Sequence, residues 1–215
     1  SPGSMDLTSS DLELVRDGND GDQYVGIRFS SLGVPQNAIV TNAYIQFTVD
    51  EDDDIAGTKI IKVEDADNPV TFGGGNFNIS SRPVTGDSVI WDNIPVWSTV
   101  GAAGADQRTP NLSSLVQSTI NRAGWSTGNS ISFIFSGNGE RVAESYDGTS
   151  SSAPVLVIEY LPTTSVQTQV IASSDDAEEQ GANGSSPGSM DLTSSDLELV
   201  RDGDRKSTRL NSSHT

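Results

Sequence analysis

Residues 1–18, SPGSMDLTSSDLELVRDG, return without a change at residues 186–203. Identity of that length at one spacing confines the fold to a module that fits between Ser1 and Ser186, repeated along a longer array. The span suits one domain and a linker. The expected organisation is a β-module over residues 6–160. Residues 161–189 then form a linker that also holds a candidate first strand of the next repeat, and residues 190–203 begin a second copy. Residues 204–215, DRKSTRLNSSHT, break from the repeat into a basic stretch without apolar alternation and are set apart as an assembly or adaptor artefact.

Charge narrows the partners. The chain has 12 Lys and Arg against 30 Asp and Glu, a formal charge of −18. Nucleic acid and anionic membrane surfaces are therefore poor partners, while cations, cationic surfaces and neutral glycans remain open. Cysteine is absent and the one histidine is His214, so histidine triads and His-ligated zinc have no members in the module. No enzyme is expected. No apolar run approaches the roughly 18 residues of a membrane span, so no membrane insertion is expected. A cysteine-free acidic β-protein is compatible with an extracellular or cell-surface setting.

The apolar pattern is mostly the two-residue period of half-buried strands. Residues 10–16 alternate Leu12 and Leu14 against charge, and residues 24–29 put Val25, Ile27 and Phe29 on one face. Residues 43–50 are the clearest strand, with Ile45, Phe47 and Val49 inward and Tyr44, Gln46 and Thr48 outward. A turn through the acidic residues 50–54 and Gly57 then predicts a hairpin with residues 58–64. Residues 65–87 are rich in Gly, Asn, Ser and Pro, either a functional loop or the cover of a short strand. Residues 88–91 and 94–98 form a short aromatic pair around Trp91 and Trp97. A helix over residues 111–122 is predicted from Asn111 as cap and Leu112, Leu115, Val116 and Ile120 at helical spacing. Strands follow at residues 130–136, 141–146 and 154–160. The fold class predicted is all-β, an antiparallel β-sandwich or jelly roll with one short helix.

Two chemistries are open to these residues. Asp17, Asn19, Asp20 and Asp22 crowd oxygen ligands around two glycines, a candidate calcium site or else a solvated acidic turn. Glycan contact needs exposed aromatic faces beside hydrogen-bonding groups. Trp91, Trp97, Trp125, Tyr24 and Tyr146 are the aromatic candidates, each of which core packing would remove from the surface. Arg82, Arg108 and Arg141 are scarce cations, either paired to a nearby carboxylate or kept for an acidic sugar.

Three stretches carry a family resemblance: VGIRFSSLGVPQNAIVTNAYIQFTV (25–49), LSSLVQSTINRAGWSTGNSISFIFSG (112–137) and ERVAESYDGTSSSAPVLVIEY (140–160). In their order they resemble the DNRLRE-type carbohydrate-binding-like domains. At Glu144, Ser145 and Tyr146 the chain departs from that family, which has a Ser, Arg and Glu run there. The resemblance implies a secreted jelly-roll module attached to polysaccharide-active enzymes or bacterial surface proteins. It also implies that VQTQVIASSDDAEEQGANG (166–184) is a module opening, so that the first module lacks its own first strand and residues 168–171 fill the vacant sheet edge. The expected function is a non-catalytic glycan-binding accessory module in a tandem array, its ligand a polysaccharide or cell-surface glycan drawn from Trp97, Trp91, Arg82, Arg108 and Tyr146. The alternative is a structural spacer that contacts neighbouring repeats of the same protein, with at most structural calcium.

Overall fold

The computed structural model describes residues 2–18 and 21–161, apart from the side chains of Asp53 and Asp54, and the backbone of residues 178–179 and 190–191. The chain divides into two compact units, Ser1–Thr163 and Thr164–Thr215. In the second, β12 (Glu178–Glu179) pairs antiparallel with β13 (Met190–Asp191). The expected strand over residues 166–172 and the filling of a sheet edge by residues 168–171 lie outside the described residues.

The first unit is antiparallel throughout, with one α-helix, as alternation at residues 25–29, 43–49 and 131–135 requires. Its strands are β1 (Asp11–Glu13), β2 (Arg16–Asp17), β3 (Gly21–Asp22), β4 (Val25–Phe29), β5 (Ile39–Gln46), β6 (Val49–Ile55), β7 (Lys59–Val63), β8 (Val89–Trp91), β9 (Ile131–Gly137), β10 (Glu140–Glu144) and β11 (Val155–Leu161). One face of the sandwich is β4–β9–β7–β8. The other is made of two sheets, β1–β10–β6 and β11–β5, which meet where β5 leads into β6. In that second face, β5 and β6 form one nearly continuous strand. Its odd residues give backbone bonds to the segment 101–112: Thr109 N–H reaches Ile45 O, Leu112 N–H reaches Ala43 O, and Val49 N–H reaches Ala102 O. Its even residues are left for β11 and β10 on the opposite edge.

The predicted hairpin of residues 43–50 with 58–64 does not form. The acidic run is strand, not turn: β6 carries it to Ile55 and pairs with β10, while β7 pairs with β9 and β8 in the other face. The ribbon β6–β7 therefore crosses between faces alongside β9–β10, and glycine makes the corner possible. A Cβ on Gly57 would stand 2.4 Å from the Asn138 carbonyl oxygen, and Gly139, at φ +74°, would place one 2.6 Å from Gly57 Cα. Asn138 ties the corner by accepting from Thr58 N–H through Oδ1 at 3.0 Å and donating its own N–H to Thr58 O at 3.0 Å.

Between the faces, Phe47 is stacked on Trp91 at 5.9 Å and meets Phe135 edge-on at 6.1 Å, with Trp97 beside it. Such pairs contribute about 0.5–1.5 kcal/mol each beyond area burial. The helix α1 (Ser113–Ile120) lays Leu115, Val116 and Ile120 on β5 and β7. Asn111 accepts the Ser113 N–H at 2.8 Å, the local bond expected of a residue at the helix entrance. Residues 65–87 form a cover. Phe72 lies on Gly26, Arg28 Nε donates to Pro69 O at 2.8 Å, and Glu64 bridges to Val84. That cover explains why all of Ile131 to Phe135 is buried, rather than alternate residues only.

Candidate functional site

The strand pair β5–β11 shows solvent a face of mostly uncharged side chains, with Glu159 opposite Asn42 as its one carboxylate. Opposite pairs Tyr44–Val157 and Gln46–Val155 point outward, because Ile45 and Leu156 point to the core. Arg108 comes to this face from the neighbouring segment through its bridge with Gln46. Its Nε donates to Gln46 Oε1 at 2.6 Å, and its guanidinium lies 4.8 Å from the centre of the Tyr44 ring. Gln46 is oriented in turn, since its Nε2 donates to Phe47 O at 2.9 Å and Gly104 O at 3.0 Å. The Nη groups of Arg108 have no acceptor among the described residues. A guanidinium held over a ring, with its Nη groups bonded to no described acceptor, is suited to a carboxylate or a pair of sugar hydroxyls.

Other arginines are spent on the fold. Arg82 is bonded to Glu64 at 2.8 Å, both side chains 8 % exposed, and to the carbonyls of Val70, Thr71 and Asn78. Arg16 pairs with Asp22, and Arg122 with Asp65 and Asp67. Arg141 is buried and donates to the carbonyls of Ile94, Pro95 and Ile55. Arg108 alone among the described arginines is exposed and holds an amide and an aromatic ring instead of a carboxylate or a fold contact.

The other half of the same face, the β1–β10–β6 sheet, is its electrostatic opposite. Carboxylate oxygens of Asp11, Asp50 and Glu51 lie within 4.8 Å of one another. Partial burial, followed by the charges of Glu144, Asp11 and Glu51, pushes Asp50 above the usual carboxylate range. Glu13 is pushed up to about 7, by burial first and then by Asp17, Asp11 and Glu140. A cleft of about 980 Å³ opens beside these groups, with Asp6, Asp11, Glu13, Asp17, Asp22 and Tyr24 on its walls. It is remote in character from Arg108. Five carboxylates repel an anion and favour a hard cation.

Several sequence candidates change place. Trp97 is fully buried, with Nε1 donating to Asp106 O at 3.1 Å, and Trp91 is 4 % exposed under Phe47, so neither offers a ring to a ligand. Trp125 is buried with its Nε1 on Val34 O. Arg82 is a clamp for the 65–87 cover. Tyr146 is 74 % exposed without a described hydrogen bond or ring partner. Of the proposed calcium ligands, Asp17 and Asp22 lie on the β2–β3 pair and Asn19 and Asp20 lie outside the described residues. Tyr44 and Gln46 were not among the candidate contact residues read from the sequence, although their outward alternation was visible. It also missed Asp11 with Asp50 and Glu51, which only the pairing of β1 and β6 on either side of β10 brings together.

No protein-family model, curated protein or solved structure matches the chain. The functional reading therefore rests on the site.

Proposed function

We propose that the module is a non-catalytic glycan-binding domain of an extracellular or cell-surface protein, and that Tyr44, Gln46 and Arg108 on the β5–β11 face are its contact residues. The carrying observation is the Arg108 guanidinium, pinned between ring and amide and unpaired to any described carboxylate in a chain of charge −18. A surface arginine in so acidic a molecule has many acids to choose from; one held away from them is available for an outside acceptor. The ring and the guanidinium plane suit the flat faces of a sugar, and the free Nη edges suit its hydroxyls or a uronate carboxylate. Affinity electrophoresis through neutral and uronate-containing polysaccharides tests the reading. Retardation that is lost in Arg108→Ala and Tyr44→Ala supports it, and equal mobility in every gel refutes it.

The Asp11, Asp50 and Glu51 cluster favours a second reading, a structural calcium site in a spacer module. The two are compatible, since they use different sheets, β1–β10–β6 and β11–β5.

A further inference from the structure

The face that carries both sites has two kinds of edge. At one end β1 closes it, with Asp11 and Glu13 along that edge strand. At the other end β11, VLVIEYL, pairs with β5 alone among the described residues. Since Asn42, Tyr44 and Gln46 give their backbone groups to β11, the residues facing them, Glu159, Val157 and Val155, are the bonded ones. The N–H and C=O groups of Leu156 and Ile158 then point away from β5, along an edge that no other described strand occupies. Their side chains face inward, only half-buried against the core. Protected edges carry lysine, proline or inward charge. This one carries a single charge, Glu159, and exposes Val155, Tyr160 and Leu161.

We infer that the open edge of β11 pairs antiparallel with β11 of a second copy of this module, about a two-fold axis at Val157. The strand is its own complement in that register. Leu156 faces Ile158 of the other copy in a hydrogen-bonded pair, and Val157 faces Val157 across the axis in the closer, non-bonded pair. Glu159 faces Val155, so no like charges meet. Each inward Leu156 and Ile158 gains an apolar neighbour. A foreign strand would need the same match by coincidence, whereas the duplication of residues 1–18 at 186–203 is the chain's own sign that copies occur together. The paired sheet has a functional consequence, which rests on the glycan reading above. Tyr44 of one copy and Tyr44 of the other stand three strand spacings apart, about 14 Å, on one continuous face. Two weak sites at that spacing bind one polymer with the gain of an intramolecular second contact.

The test uses the full chain without glycan. Sedimentation velocity should show a concentration-dependent dimer, weak because a strand pair is a small interface. Val157→Lys places two ammonium groups in direct opposition and should weaken the dimer about tenfold, as should Val157→Glu, while an equimolar mixture of the two variants restores it. Hydrogen exchange supplies the second readout: Leu156 and Ile158 amides should be slow in the dimer and fast in either variant alone. A wild-type chain that stays monomeric at all concentrations overturns the inference. So do variants that dimerise as well as wild type, or Leu156 and Ile158 amides equally slow in monomer and variant, which would mean that the chain's own residues after Leu161 occupy the edge. Failure of this test leaves the glycan reading intact, because sedimentation is read with no sugar present.

Discussion

The strand that runs from Ile39 to Ile55 passes through two surfaces of opposite chemistry. Its first half, IVTNAYIQ, faces solvent with Tyr44 and Gln46 beside an uncommitted Arg108. Its second half, VDEDDDI, joins Asp11 and Glu144 in an acidic patch that raises Asp50. Both halves are extended and paired antiparallel, the second bulged against β10 between Glu51 and Asp54, and the same core of Ile45, Phe47 and Val49 lies beneath. The outward residues set the chemistry. Inward alternation therefore fixes where the strand lies, and outward alternation is free to be assigned to partners, which on the proposed reading are a sugar for one half and cations for the other.

Breaking the shared support should remove both surfaces together. Trp97→Ala deletes a fully buried indole and its bond to Asp106 O, at a cost of about 3–5 kcal/mol, a large share of a domain's stability. Urea unfolding should show that loss, and a wild-type midpoint would contradict the core placement of Trp97. A smaller effect separates the halves by pH. Glu13 has a folded pKa of about 7 against an ordinary 4.5, so the folded state holds its proton more tightly than the unfolded state does. Its contribution is fully present below about 4.5 and is lost as pH rises through about 7. The melting temperature should fall between pH 5 and pH 8, and Glu13→Gln should flatten that fall and stabilise the protein at pH 8. Arg108→Gln should leave the slope unchanged; an equal slope in Glu13→Gln and wild type would sink the assignment.

Calcium sharpens the contrast further. Millimolar calcium at pH 8 should raise the melting temperature by binding the folded state, and Asp50→Asn should blunt the rise. No shift on adding calcium or chelator would leave the patch as solvated carboxylates. The smallest expected effect is at Tyr146, exposed and outside both surfaces. Tyr146→Ala should change stability by less than about 0.5 kcal/mol and leave glycan retardation untouched.

Much of this fold was legible in the sequence, and the reasons are local. Alternation at Val25, Ile27 and Phe29, and at Ile45, Phe47 and Val49, became β4 and the β5–β6 strand, and helical spacing at Leu115, Val116 and Ile120 became α1. The acidic run misled because charge reads as turn, whereas a strand with one solvated face tolerates it. The corner at Gly57 was illegible because its need for glycine comes from Asn138 and Gly139, far along the chain. Both sites share that difficulty. Arg108 reaches Gln46 across 62 positions, and Asp11 meets Asp50 only through the register of a third strand. The tryptophans were singled out for the ligand by chemistry alone, and packing claimed them.

The central claim is that Arg108 and Tyr44 face a sugar while the acidic half does not. Titration of isotope-labelled chain with a uronate oligosaccharide, followed by amide and arginine Nε–H shifts, tests it most directly. The account predicts saturable shifts at Tyr44, Gln46, Arg108 and Val157, abolished by Arg108→Ala. Shifts centred on Asp11, Glu13 and Tyr24, or none at any residue of the β5–β11 face, would contradict it.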